Sequence, residues 1–130
     1  MAEGRVAGIG GVFLRAQEPE RLAAWYREHL GIVATQAGQA DPEGRYFWIQ
    51  DAGPTVSAKF PADSDYWRAD RQVMINYRVE GLDALLARLE KAGIQISHRE
   101  QMEGVGRFAR VHDPEGNPLE LWEPAEMPEA

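Results

Sequence analysis

The chain contains no cysteine, which excludes a disulfide framework, a thiolate metal centre and a cysteine nucleophile. It has no apolar run of about 18 residues or more, so no transmembrane helix is expected. The segment from Met1 to Gly8 lacks the basic start and apolar stretch of a secretory signal. These absences imply a cytoplasmic protein with no membrane partner. Basic charge is also short: 14 Lys and Arg stand against 21 Asp and Glu, for a net charge of −7. That argues against nucleic acid as the main partner, because neutralising phosphates takes concentrated Lys and Arg. An acidic balance suits a cationic ligand, or simply solubility. Glu123, Glu126 and Glu129, with Pro124 and Pro128, read as a short acidic tail that frays, residues 125–130 forming its end. What is present is ordinary: 130 residues, 44% hydrophobic and 27% charged, enough for one domain with a real core.

The same plan occurs twice. Residues 9–15 alternate as a strand, and Glu18-Pro19-Glu20 opens a helix, with proline tolerated in the first turn and acids favoured at the positive end. Leu22, Trp25, Tyr26 and Leu30 form an apolar stripe, Gly31 stops the helix, and a strand begins at Ile32. In the second half Val73–Val79 is a strand, Leu82, Leu85, Leu86 and Leu89 make the stripe, and Gly93 stops the helix before Ile94. Arg15 and Arg78 end equivalent strands, and Gly31 and Gly93 end equivalent helices. The spacing predicts two tandem βαβββ modules of about 60 residues each. The first, 9–60, is completed by strands at 45–50 and 55–60. The second, 73–124, is completed by strands at 94–98, 107–112 and 119–122. Residues 61–72 connect them and hold Tyr66 and Trp67, which either close over a cleft or bury at a dimer interface.

Val111 to Glu123 reads as strand, tight turn, strand. Asp113-Pro114-Glu115-Gly116 fits a type I turn, with Asp first, Pro setting φ at the second position and Gly closing the fourth. The same tetrapeptide at 41–44 is reused turn chemistry. After the second turn, Leu119 and Leu121 share one face, while Glu120 and Trp122 share the other. Phe108, Arg110 and His112 likewise alternate with Ala109 and Val111, and Asn76 and Arg78 with Ile75, Tyr77 and Val79. One face suits packing under helices. The other, with Phe13, Asn76, Arg78, Glu120 and Trp122, suits a ligand cleft.

Three motifs in this order resemble the vicinal oxygen chelate superfamily of glyoxalase I, extradiol dioxygenases and bleomycin-resistance proteins. They are Glu18-Pro19-Glu20-x-Leu22-Ala23-Ala24-Trp25-Tyr26-Arg27-x-x-Leu30-Gly31, Arg78-Val79-Glu80-Gly81-Leu82-Asp83 and Asp113-Pro114-Glu115-Gly116-Asn117-x-x-Glu120-Leu121. The resemblance spans about residues 9–124. It implies an α+β fold in which the two modules form a curved eight-stranded sheet around a cleft, commonly in a homodimer. It also implies a divalent metal held by side chains from both modules. Carried over position by position, only Glu120 matches a ligand. The first-strand position falls on Gly11, its counterpart in the second module on Met74, and the remaining one near Ser57 to Lys59. About three or more His or carboxylate ligands are needed, so no cofactor is expected. An atypical metal site would have to use Glu120 and His112.

The residues themselves leave alternatives open. Glu120 is a metal ligand, a general base, an acceptor for a cationic ligand, or half of an ion pair with Arg15 or Arg78. If paired it is a poor base; if dehydrated and alone its pKa rises. Asn76 and Arg78 fix a polar group of a ligand or tie sheet to loop. His29 suits a helix end, His98 a solvated loop, and His112 is the one histidine on the cleft face. Trp48 and Trp122 are placed to stack on a ligand, whereas Trp25 and Tyr26 belong to the core. Gly8, Gly10 and Gly11 are no phosphate-binding fingerprint, since Phe13 and a strand follow, and no serine or threonine sits in a nucleophile motif. The expected function is metal-free binding of a small molecule of drug or metabolite type by Phe13, Trp48, Asn76, Arg78, Glu120 and Trp122, with a cationic aromatic ligand best suited. The alternative is a lyase, isomerase or dioxygenase relative with Glu120 as acid–base catalyst.

Overall fold

Apolar stripes become helices in both halves of the chain. In the computed structural model, which describes residues 4–126, helix α1 spans Pro19–Leu30 and helix α2 spans Leu82–Lys91. Pro19 occupies the first turn of α1, where its missing N–H would be unpaired in any case. Gly31 ends α1 in the left-handed region, with φ 68°, and donates its N–H to Arg27 O at 3.1 Å. The buried residues are Leu22, Ala23 and Tyr26 on α1 and Leu82, Leu86 and Leu89 on α2. Trp25, Leu30 and Leu85 are only partly covered.

Four strands follow the order expected of one βαβββ module. They are β1 (Ile75–Arg78), β2 (His98–Met102), β3 (Gly106–His112) and β4 (Pro118–Pro124). Their order across the sheet is β1-β4-β3-β2. The β1–β4 pair is parallel, as a crossover through α2 requires, and the other two pairs are antiparallel. Ala109, Val111, Leu119 and Leu121 join the leucines of α2 and Leu22 and Tyr26 of α1 in a single core. Removing each such leucine from water contributes about 2 kcal/mol. Both helices therefore cover one face of the sheet. The other face presents Asn76, Glu120, Arg110 and His98 in one register row across four strands.

The eight-stranded layout is not formed among the described residues. Residues 9–15, 45–50 and 55–60, and the run after Ile32, carry no strand ladder. Alternation specifies which way side chains point, but a strand exists only where another backbone meets its N–H and C=O groups. Lacking that, Phe13, Phe47 and Ile49 stay exposed, at 93%, 79% and 85%. The strand expected at 94–98 begins instead at His98. Ile94 and Ile96 pack against the core from a loop, while Met102 to Gly106 close a hairpin through Val105 N–H to Met102 O at 3.0 Å. Hairpin closure selects the paired residues, which apolar alternation alone does not reveal.

The acidic tail also begins later than expected. Glu123 and Pro124 lie within β4. The Glu123 carboxylate accepts Leu82 N–H at 2.9 Å and pairs with Arg107 at 2.5 Å. Those bonds hold its pKa below the usual carboxylate range, the Leu82 amide contributing most. Pro128 and Glu129 fall outside the described residues, as do Met1 to Glu3. No helix among the described residues is long and apolar enough to cross a membrane.

Candidate functional site

The turn that orders β3 and β4 also organises its surroundings. Asp113 is buried and its carboxylate accepts four hydrogen bonds: from Tyr26 Oη at 2.8 Å, Glu115 N at 2.9 Å, Asn117 N at 3.0 Å and Asn117 Nδ2 at 2.8 Å. Gly116 N–H closes the turn onto Asp113 O at 2.9 Å. Glu115 reaches the start of α1, accepting from Gln17 N at 2.6 Å and Glu18 N at 3.1 Å, where negative charge is favoured. The connector docks on the same turn. Arg68 Nη1 donates to Gly116 O at 3.0 Å and Arg71 Nη2 to Glu115 O at 3.1 Å.

This anchoring lays Tyr66 across the uncovered sheet face. Tyr66 Oη donates to Glu120 Oε2 at 2.5 Å, and Asn76 Nδ2 donates to Glu120 Oε1 at 2.8 Å. Burial, followed by the hydrogen bond to Glu120, pushes the Tyr66 phenol up to about 12. It stays protonated and donating at neutral pH. Glu120 itself is 6% exposed. Neither Arg15 nor Arg78 is its partner; Arg78 Nη2 donates instead to Asp51 O at 3.1 Å. The ion pair weighed from sequence is thus replaced by a tyrosine and an amide, one of them from the connector. On the same face the rings of Phe108 and Trp122 stack, 6.1 Å apart and nearly parallel at 4°. Trp122 Nε1 donates to Val105 O at 3.0 Å. Arg110 lays its guanidinium over Tyr66, 4.7 Å from the ring centre. His112 is half-buried at the end of β3, and burial, then the Arg110 and Arg68 cations, lower its pKa.

The structure brings Asn76, Glu120, Trp122 and His112 to this face with Tyr66 and Arg110. It does not bring Trp48 or Phe13 to Glu120. Trp48 lies 6.3 Å from Tyr77, which alternates away from Asn76. Phe13 is solvent-facing and folds back on Gly11. One depression of about 380 Å³ lies against Glu90, Ile96 and Arg99, and another of about 250 Å³ lies against Trp25, Ile94 and His112. Neither includes Glu120, which is buried against Tyr66. Sequence reasoning placed Arg110 on this face without singling it out. The signal available was a cation on an inner strand between Phe108 and His112.

The donors do not fit the metal implied by the superfamily. Both Glu120 oxygens already accept hydrogen bonds. Gly11 supplies no side chain, Met74 only a thioether, and Lys59 Nζ donates to Ser57 Oγ at 2.7 Å where a ligand would be needed. Among the described residues no group of three or more His, Cys, Asp or Glu is placed to hold an ion.

A family model described as Glyoxalase-like domain matches residues 11–122. The chain belongs to that family and, through it, to the glyoxalase/bleomycin resistance/dioxygenase superfamily. Among solved structures it is similar to lactoylglutathione lyase from Agrobacterium tumefaciens, at 20% identity over 92% of this chain and 96% of that one, with a TM-score of 0.57. A glyoxalase/bleomycin resistance protein/dioxygenase domain from Frankia sp. EAN1pec matches at 19% identity over 92% and 99%, with a TM-score of 0.59. An antibiotic binding protein from Streptomyces sp. CB03234 matches at 18% identity over 93% and 100%, with a TM-score of 0.55. At these identities the likeness is one of fold. No curated protein matches the chain.

Proposed function

We propose that this chain is a metal-independent binder of a small molecule, held on the sheet face between the Asn76–Glu120–Tyr66 cluster and the stacked Phe108–Trp122 pair. The observation that carries the reading is the engagement of both Glu120 oxygens by neutral donors. Each oxygen keeps a further lone-pair site, but among the described residues no group of three His, Cys, Asp or Glu gathers to hold an ion there. Glu120 can still orient a polar ligand group through the Asn76 amide. The antibiotic-binding neighbour in Streptomyces is in keeping with such a role on this fold. The enzyme reading has the lyase neighbour from Agrobacterium tumefaciens in its favour, and acid–base catalysis by Glu120 would proceed beside its hydrogen bonds to Tyr66 and Asn76.

The binding form is proposed to be a homodimer. Val12, Phe13, Phe47, Ile49 and Val56 are more than half exposed, and the segments carrying them have unpaired backbone. A second copy would cover them and supply the remaining strands of two βαβββ modules, closing the open face into a cleft.

Elemental analysis combined with mass determination in solution tests both parts. Purified protein exposed to nickel, zinc, manganese or ferrous iron and then desalted is expected to retain no stoichiometric metal, and to have the mass of two chains. About one ion per chain, lost in Glu120→Ala, would overturn the metal-free reading. The mass of a single chain in solution would overturn the dimeric one.

A further inference from the structure

Arg110 is the one cation of this face whose hydrogen bonding is conspicuously incomplete. Its Nε and Nη2 are buried and have no acceptor among the described residues. Buried donors are nearly always paired, and ionised ones are the costliest to leave alone. These two nitrogens are also neighbours along a single edge of the guanidinium. Their N–H bonds run side by side, which is the fork that grips two oxygens of one carboxylate or phosphate.

The surroundings leave that edge with no internal partner. The Tyr66 ring lies under the guanidinium carbon, with Arg110 Cζ 4.7 Å from the ring centre. Glu120 stands opposite Arg110 in the β3–β4 register, but its oxygens are held by Tyr66 and Asn76. Glu100, on the neighbouring strand, lies against His98 at 3.4 Å. The backbone of Arg110 is fixed, its carbonyl accepting Ser97 N–H at 2.9 Å. What is missing is an acceptor with two oxygens.

We propose that Arg110 is the anion-recognising residue of the cleft, gripping a carboxylate or phosphate group of the ligand through Nε and Nη2 while an apolar part of the ligand lies on the Phe108–Trp122 pair. The proposal rests on the cleft-binding reading above and names the class of ligand. It reverses the preference for cations suggested by the net charge of −7. Bulk charge is screened beyond about 8 Å at physiological salt, so the local fork outweighs it. Because the edge is shielded, an entering anion displaces part of its cover. Residues 61–72, which bear Tyr66 and contain no helix or strand, are the segment able to yield.

The test uses the full chain and four probes that share one ring: benzoate, phenyl phosphate, benzamide and benzylamine. Nitrogen-15 NMR follows Arg110 Nε–H, and the Trp122 indole reports the ring. Benzoate or phenyl phosphate is expected to shift Arg110 saturably and to bind about tenfold tighter than benzamide. Whichever of the two binds more tightly identifies the planar or the tetrahedral anion. Arg110→Lys keeps the charge but loses the fork, and should weaken benzoate and phenyl phosphate about tenfold, a larger loss than for benzamide. Equal binding of benzoate and benzamide, or tighter binding of benzylamine, with Trp122 responding and Arg110 still, overturns the anion assignment and leaves the cleft reading standing. Silence of both reporters toward all four probes overturns both. The wild-type spectra decide the matter even if the variant fails to fold.

Discussion

Asp-Pro-Glu-Gly occurs twice, and the backbone treats both copies alike. Gly44 and Gly116 have φ of 83° and 84°, and each donates to the first Asp carbonyl at 2.9 Å. Asp41 and Asp113 are 5% and 4% exposed. The difference lies in what the side chains reach. Asp41 binds only its own turn, Glu43 N, Arg45 N and Arg45 Nε. Asp113 holds Tyr26 of α1, and Glu115 holds the entrance to that helix. Around the first copy the flanking segments remain unpaired; around the second they form the sheet centre. A turn motif thus fixes local geometry and leaves its structural weight to its neighbours.

The largest effect that would break this comparison is predicted for Asp113→Ala. It strands the buried Tyr26 hydroxyl and three donors of the turn, and should lower stability by about 3 kcal/mol. Asp41→Ala removes only local bonds and should lose distinctly less. Urea unfolding of the two variants side by side decides; equal losses would mean that the turns are equivalent after all. A smaller effect is expected for Tyr26→Phe, about 1–2 kcal/mol, since Asn117 still satisfies Asp113. If the loss vanishes, the tie between α1 and the second turn carries no weight.

The smallest effect concerns pH. His112, which precedes Asp113, has its pKa lowered by burial and then by Arg110 and Arg68; Ala40 occupies the corresponding place before Asp41. Below about pH 6.5 the unfolded chain takes a proton that folded His112 resists. Its contribution is fully present above that pH and is lost as pH falls toward the lowered value. Urea midpoints from pH 7.5 to 5.5 should decline, and His112→Asn should flatten the decline. An unchanged slope in the variant would place the pH sensitivity elsewhere.

The helices were legible because their stripes and glycine stops are local. So was the alternation in 106–124, where Leu119 and Leu121 go inward and Glu120 and Trp122 outward, and the turn between. What periodicity could not show was pairing. Residues 45–50 and 55–60 also read as strands, yet among the described residues they join no ladder. Nor could spacing show that Tyr66, from a connector without regular structure, would take Glu120 in place of Arg15 or Arg78. Arg110 was placed on the correct face, but an unanswered guanidinium edge is visible only once its neighbours are in position.

The bonds between α1 and the second turn join residues far apart in the chain: 87 positions from Tyr26 to Asp113 and 98 from Gln17 to Glu115. During synthesis α1 leaves the ribosome long before the surface that receives it exists. It must wait as a marginal helix, since 12 residues fall at the edge of what is stable alone in water. Docking of α1 then closes a loop of most of the chain, a slow kind of contact. The turn at Asp113 to Gly116, made long after α1, is therefore what commits that helix to the fold.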